Sequence, residues 1–122
     1  MAVRRVVANI ATSEPARAQV FYGDILGMPV AMDHGWIVTH ASPLEAPAQL
    51  SFAREGGSGT DVPDFSIEVD NFDEVRDRIV AAGLPIEYGP TVESWGVRRL
   101  FVRDPFGKLV NILSHLYNIE SE

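Results

Sequence analysis

A pattern of strand, helix and further strands occurs twice along this chain and limits the folds open to it. Residues 3–10 are rich in β-branched apolar side chains, and residues 64–69 alternate between apolar and polar side chains; both patterns are typical of β-strands. Each of these segments is followed by one helical pattern and then by three short strand patterns. The two halves share few identical residues, so the repeat lies in the order of the elements and not in the letters. The sequence therefore predicts two tandem β-α-β-β-β modules, an α+β fold.

Capping residues and glycines mark the ends of the two predicted helices. The first is predicted to begin at Ser13 as N-cap and to stop at Gly27. Its apolar residues recur at helical spacing: Ala18, Phe21, Tyr22 and Ile25. The second begins at Asn71, which precedes Glu74 by three residues as in a capping box, and it ends at Gly83. The strands that follow the helices are predicted at 30–33, 35–41 and 48–53 and at 86–88, 97–103 and 108–115.

Length and glycine content define the domain organisation. A chain of 122 residues suits one domain with one useful core. Residues 54–63 are rich in glycine and have no apolar periodicity, so we expect a flexible linker there. The linker joins module one, residues 1–53, to module two, residues 64–122, within a single domain over 1–122.

Charge and composition exclude several classes of function. Ten Lys and Arg residues against seventeen Asp and Glu residues give a formal net charge of −7, which opposes nucleic acids and anionic membranes. The sequence contains no cysteine, which excludes disulfides, thiol nucleophiles and Cys-ligated metals. Its first residues lack the apolar run of a signal peptide and no later run is long enough to span a bilayer, so we expect a cytoplasmic protein. A neutral or cationic small molecule is the expected partner.

The stretch from Arg103 to Leu113 carries a specific turn motif. Asp104, Pro105 and Gly107 predict a tight turn between two strands. Alternation then divides the last strand into two faces. One face carries Val110 and Ile112, and the other carries Leu109, Asn111, Leu113 and His115.

Three segments together resemble the vicinal oxygen chelate superfamily of glyoxalase I, extradiol dioxygenases, fosfomycin-resistance enzymes and bleomycin-resistance binding proteins. They are residues 21–28 (FYGDILGM), 81–83 (AAG) and 103–107 (RDPFG). The resemblance implies that the two modules form an incompletely closed barrel or cup whose inner face binds the ligand. It also implies a homodimer.

Metal-dependent members of that superfamily place His or Glu at four inward strand positions. The resemblance maps these positions onto Arg5, Gln49, Asp64 and Asn111. Arg5 is permanently cationic, Gln49 and Asn111 offer only neutral oxygens, and a divalent metal needs imidazole or carboxylate ligands. We therefore expect no metal and no cofactor. The chain is most similar to the bleomycin-resistance type, which implies metal-free binding of an antibiotic or metabolite.

Other residues are candidates for ligand contacts beside these four positions. Trp36 and Trp95 lie at glycine-containing turns, where an aromatic ring either lines a site or packs under its own loop or a subunit contact. Arg99 and Phe101 share one face of their strand, and Arg99 either binds an anionic group or pairs with Glu68 or Asp64. The full predicted ligand-binding set is Arg5, Trp36, His40, Gln49, Asp64, Trp95, Arg99, Phe101 and Asn111.

Two alternatives to a binding protein stay open at this point. The first is a lyase, isomerase or dioxygenase of the same superfamily, metal-dependent or using acid–base groups alone. For the acid–base version, His40, Asp64 and Glu68 are the candidate catalytic residues and would have to converge. The second alternative is a protein that acts only in an assembly, in which side chains fill the inner face.

Overall fold

The computed structural model describes residues 3–25, 27–41, 49–104 and 106–116. The chain divides into two compact units. The N-terminal unit is Val7–Val62, and the C-terminal unit combines Met1–Val6 with Pro63–Glu122. The first strand, β1 (Val3–Ala11), contributes residues to both.

The N-terminal unit contains the second half of β1 and three further strands. These are β2 (Val30–Asp33), β3 (Ile37–Ala41) and β4 (Gln49–Ala53). Their hydrogen-bonded order is β2-β3-β4-β1, with β1 and β4 parallel and the other pairs antiparallel. The predicted strands 30–33, 35–41 and 48–53 are therefore found, with β3 starting two residues later than predicted.

The helical segment of the N-terminal unit differs from the predicted α-helix. It consists of a 3₁₀ turn, Pro15–Arg17, and a π-helix, Gln19–Ile25. Glu14 rather than Ser13 is the N-cap, and no side chain caps it. The wider turn of a π-helix changes the period, so residues spaced for an α-helix no longer share one face. Tyr22 packs on Phe52 with ring centroids 4.8 Å apart, whereas its predicted neighbours Phe21 and Ile25 are exposed.

The C-terminal unit has four strands and one α-helix in the predicted order. They are β5 (Phe65–Val69), α1 (Phe72–Ala81), β6 (Ile86–Val92), β7 (Val97–Arg103) and β8 (Leu109–His115). The strands are hydrogen-bonded in the order β5-β8-β7-β6, with β5 and β8 parallel. β6 is longer than the predicted 86–88 because irregularities in its pairing with β7 accommodate Gly89 and Pro90 within the strand.

Helix α1 covers one face of the C-terminal sheet. Asn71 is its N-cap, but the side-chain Nδ2 donates to Glu74 Oε1 at 2.9 Å and no side-chain cap to the backbone forms. Gly83 adopts φ +75° after the helix, a conformation that favours glycine. The buried core beneath α1 contains Val69, Phe72, Leu100, Val102, Val110 and Ile112. The α+β class and the repeated order of elements are confirmed.

The turn between β7 and β8 has the predicted hairpin chemistry. Asp104 Oδ1 accepts the backbone N–H groups of Phe106 and Lys108, at 2.8 and 2.9 Å. The N–H of Asp104 donates to the Lys108 carbonyl at 3.0 Å, and Gly107 adopts φ +79°. Pro105 lies outside the described residues. In the described parts of the chain, no helix is both long and apolar enough to cross a membrane.

Candidate functional site

The side of the C-terminal sheet opposite α1 carries most of its polar side chains. Val110, Ile112 and Leu100 belong to the core beneath α1, so their neighbours along β7 and β8 point the other way. This confirms the predicted division of the last strand. We call this side the polar face, and it comprises Ser66, Glu68, Arg99, Phe101, Asn111 and His115.

Asn111 lies in the middle of the polar face and is only 7% exposed. Its partner in strand register is Ser66 on one side and Phe101 on the other. The amide Nδ2 donates to Ser66 Oγ at 3.2 Å, and Oδ1 is buried with no hydrogen-bond partner in the described structure. Exchanging the amide nitrogen and oxygen would pair Oδ1 with the Ser66 hydroxyl and leave Nδ2 alone. In either orientation one buried polar atom is unpaired, at a cost of about 1–3 kcal/mol.

Glu68 has a partner on each carboxylate oxygen. Arg5 Nε donates to Oε1 at 2.8 Å, and His115 Nδ1 lies 2.7 Å from Oε2. Burial raises the pKa of Glu68, but the hydrogen bond from His115 and the charge of Arg5 outweigh burial and lower it below its ordinary value. Glu68 is therefore ionised at neutral pH.

The ionised state of Glu68 decides the tautomer of His115. An ionised carboxylate can only accept hydrogen bonds, so the hydrogen between the two groups belongs to His115 Nδ1. In the neutral ring the lone pair then lies on Nε2. The side chain of His115 is 26% exposed, against 12% for Glu68, so the ring is the more accessible member of the pair.

Arg99 is buried together with Glu93 beside three aromatic rings. Their side chains are 3% and 7% exposed, and Arg99 Nε donates to Glu93 Oε2 at 2.6 Å. The Tyr88 hydroxyl donates to the same oxygen at 2.7 Å. The guanidinium carbon lies 4.8 Å from the ring centroid of Phe101, 5.0 Å from Trp95 and 5.2 Å from Tyr88. Arg99 thus connects the Trp95 loop to the sheet.

Asp64 has a structural partner at the start of β5. Its Oδ2 accepts the backbone N–H of Leu109 at 2.9 Å, and its own N–H donates to the Leu109 carbonyl at 2.8 Å. These two bonds join the beginnings of β5 and β8. The carboxylate is therefore engaged in strand pairing, and it does not resemble an open acid–base group.

His40 is a buried residue of the N-terminal unit. It is 1% exposed, and its Nδ1 donates to the Met28 carbonyl at 2.8 Å, since a carbonyl oxygen only accepts. Its ring packs edge-to-face on Phe52, at 6.0 Å between centroids, and Phe52 contacts Tyr22 of the π-helix. The ring therefore lies on the helix-covered side of β3, in surroundings that favour a structural role over that of a base.

Trp36 and Gln49 also belong to the N-terminal unit. Trp36 precedes β3 and stacks on His34 with ring centroids 6.3 Å apart. Gln49 begins β4, opposite Ala41 in register. Thr39 of β3 and Ser51 of β4 lie opposite each other in register, and their buried hydroxyls form a hydrogen bond of 2.7 Å. Among the predicted ligand contacts, the C-terminal unit holds Arg5, Asp64, Trp95, Arg99, Phe101 and Asn111.

The residues at the mapped metal positions do not fit a divalent metal ion. Arg5 is a cation paired with Glu68, and the Asp64 carboxylate accepts a backbone N–H. Asn111 contributes a neutral amide oxygen, a weak ligand without accompanying carboxylates. Within the described ranges, no group of three or more His, Asp or Glu residues could hold a metal ion.

A protein-family model supplies the decisive comparison. The model of the Glyoxalase/Bleomycin resistance protein/Dioxygenase superfamily matches residues 4–112. This chain belongs to that superfamily. The match confirms the resemblance drawn from the sequence motifs. A comparison with curated proteins finds no match.

Solved structures agree with this assignment at the level of the fold. A Legionella pneumophila protein described as an NAD-dependent benzaldehyde dehydrogenase has a TM-score of 0.70 and 14% identity, over 91% of this chain and 99% of that one. A superfamily member from Vibrio splendidus has a TM-score of 0.64 and 20% identity, over 93% and 99%. Methylmalonyl-CoA epimerase from Mycobacterium tuberculosis has a TM-score of 0.62 and 18% identity, over 98% and 91%. At these identities the similarity concerns the fold alone.

Sequence reasoning missed two residues of the site, His115 on the polar face and Glu93 beside it. Alternation placed His115 on the face of Asn111, but its position at the end of a strand favoured an ordinary surface group. Glu93 lies in a loop and is the buried partner of Arg99. The expected pairing of Arg99 with Glu68 or Asp64 is wrong, because Glu68 pairs with Arg5 and His115 and Asp64 accepts the N–H of Leu109. The sequence did predict a loop around Trp95. The ion pair between Glu93 and Arg99, however, depends on how that loop folds back onto β7.

Proposed function

We propose that this protein binds a small molecule, an antibiotic or metabolite, on the polar face without a metal ion. Asn111 is the observation that carries this proposal. It occupies the position where metal-dependent members are expected to carry a ligand residue, and it presents a neutral amide there instead. A hydrogen-bonding group of a ligand, rather than a metal ion, suits such an amide.

The unpaired atom of Asn111 provides a physical reason for binding. Leaving a buried polar atom without a partner costs about 1–3 kcal/mol, and a ligand that brings the missing hydrogen bond removes this cost. In the described orientation Oδ1 is the unpaired atom, so the ligand group that completes it is an N–H or O–H donor. The proposal therefore concerns a ligand with at least one hydroxyl, amide or amine.

The charges of the polar face favour a neutral or cationic ligand. Glu68 is paired with Arg5 and His115, and Arg99 is paired with Glu93. The remaining field comes from the net charge of −7, which attracts cations. Trp95 is half-buried above Arg99 and supplies an aromatic surface for the ligand.

Fluorescence titration tests this proposal because Trp95 adjoins the polar face. The Trp36→Phe variant leaves Trp95 as the only tryptophan of the chain. It would be titrated, in excess chelator, with cationic glycopeptides, aromatic antibiotics and a CoA thioester, the last because a structurally similar protein is a methylmalonyl-CoA epimerase. Saturable quenching by one class is the expected result.

Metal analysis separates this proposal from a metalloenzyme. Protein purified without chelator is expected to contain far less than one equivalent of zinc, nickel, manganese or iron. Near-stoichiometric metal, with turnover that depends on it, would contradict metal-free binding. Homodimer formation, which the resemblance implies, belongs to the same proposal, and light scattering would then report twice the mass of one chain.

A further inference from the structure

We propose that His115 and Glu68 form a metal-independent proton-transfer pair on the polar face, in which His115 Nε2 removes a proton from a bound carbon acid. This inference rests on the proposed binding face and adds a reaction to it. Its substrate class is a small molecule with an acidic C–H bond. His115 is the catalytic base, and Glu68 is a positioning residue that acts through the ring.

The geometry of the pair provides the three properties that a histidine base needs. The 2.7 Å contact between His115 Nδ1 and Glu68 Oε2 fixes the ring orientation. The ionised carboxylate keeps the hydrogen on Nδ1 and so leaves the lone pair on Nε2. A negative charge at this distance also stabilises the imidazolium that forms when Nε2 takes a proton.

Arg5 keeps the proton on the ring. It donates to the other oxygen of Glu68 at 2.8 Å, and both it and His115 lower the pKa of this carboxyl. The proton gained at Nε2 therefore has no tendency to pass through the ring and settle on Glu68. The carboxylate stays ionised throughout, as it must if it is to orient and stabilise the ring.

The strand geometry sets the size of the substrate. Asn111 and His115 lie four residues apart on one face of β8, which is about 13 Å at the rise of an antiparallel strand. Leu113 lies between them on the same face. A ligand that reaches both polar groups is an elongated molecule with a hydrogen-bond donor at one end, an apolar middle and the acidic C–H at the other end.

The proposed reaction is balanced without an oxidant or a metal. The C–H bond breaks, the proton forms an N–H bond at His115 Nε2, and the electron pair stays on the substrate. In an isomerisation the proton returns to another carbon and restores the neutral ring. In an elimination the electron pair forms a multiple bond, a leaving group departs with its own pair, and the proton passes to water.

Elimination of 5-nitrobenzisoxazole tests the pair with a defined probe. A base removes its C–H proton, the N–O bond breaks, and the coloured phenolate appears. We expect the wild-type protein to exceed an equal concentration of free imidazole by about 100-fold, the lower range for a positioned base. His115→Gln should abolish the excess, and His34→Gln, a matched change in an exposed turn, should retain it.

Variants of Glu68 distinguish a role in positioning His115 from a role in stabilising the fold. Glu68→Gln keeps the shape but removes the charge, so it should lower kcat for the probe about tenfold with little change in KM, because Glu68 does not touch the probe. Glu68→Asp should restore part of kcat. Carbethoxylation of the wild-type protein, located at His115 by peptide mass spectrometry, should remove the same activity if the His115 variant fails to fold.

The elimination assay can fail independently of the binding assay. A rate no higher than that of free imidazole, or an excess that survives both His115→Gln and carbethoxylation of His115, would overturn the proton-transfer pair. Binding is read on other compounds through Trp95 fluorescence, and it would stand in that case. Conversely, elimination without any binder in the titration panel would overturn the ligand proposal and leave the pair in place.

Discussion

Replacing Glu93 by Gln is expected to destabilise the protein by about 3 kcal/mol. The change keeps the size of the side chain but leaves the guanidinium of Arg99, which is 3% exposed, without its buried carboxylate. Two unit charges about 4 Å apart attract each other by about 4 kcal/mol at an effective dielectric of about 20. The glutamine oxygen still accepts a neutral hydrogen bond, which returns about 1 kcal/mol.

The matched control is Glu87→Gln, which makes the same change in an exposed pair. Arg103 Nε lies 2.9 Å from Glu87 Oε2, and the two side chains are 47% and 41% exposed. Such a pair contributes about 0–1 kcal/mol, because water and salt screen it. The geometry resembles the Glu93 pair, and burial is what distinguishes them.

Urea denaturation at constant pH measures both variants. The double variant Glu93→Leu/Arg99→Met should recover most of the loss, since removing both charges also removes their desolvation cost. Two results would refute the inference that Arg99 and Glu93 form a strong buried ion pair. One is a loss below about 1 kcal/mol for Glu93→Gln, and the other is a double variant less stable than Glu93→Gln alone.

Three further predictions concern Glu68, His40 and Asn111. Because the pKa of Glu68 is lowered in the folded protein, its stabilising contribution is present above the pKa of the unfolded chain and is lost as pH falls through the folded value. Glu68→Gln should therefore lower the denaturation midpoint at pH 7, and this difference should shrink as the pH is lowered into the acid range. A difference that stays constant with pH would contradict this. His40→Leu should cost about 1–3 kcal/mol in the same assay, because the Met28 carbonyl loses its donor; a neutral effect would indicate that the bond contributes nothing. Asn111→Leu should raise stability by about 1 kcal/mol, since it removes a buried unpaired atom, and a loss of stability would show that the amide is satisfied in the unliganded protein.

Local patterns predicted the elements of the C-terminal unit well. The period-two alternation of β5 and β8 is a property of the extended backbone, so the two faces follow from the residues themselves. Glycine at position 83 and the Asp104 side chain end α1 and close the hairpin through contacts within a few residues. Contacts of this short range can be predicted from the sequence, because both partners lie within a few residues of each other.

The N-terminal helical segment and the polar pairs lie beyond local patterns. The spacing of Phe21 and Ile25 fits an α-helix, but the chain forms a π-helix there and leaves both exposed. The hydrogen bond between Glu68 and His115 joins residues 47 positions apart. Its existence depends on the parallel pairing of β5 with β8, a tertiary arrangement that no window of sequence contains.

The most direct test of metal-free binding is a calorimetric titration of the best ligand from the panel, in chelator, into wild-type protein and two variants. Asn111→Leu removes the amide of the polar face. Asn71→Ser removes a second amide oxygen that is buried and unpaired among the described residues, at the start of α1, while keeping a residue able to cap the helix. We predict stoichiometric binding by the wild type that chelator does not change, a loss of about tenfold in affinity for Asn111→Leu, and no loss for Asn71→Ser. Binding that requires added metal, or equal affinity in Asn111→Leu, would contradict the account.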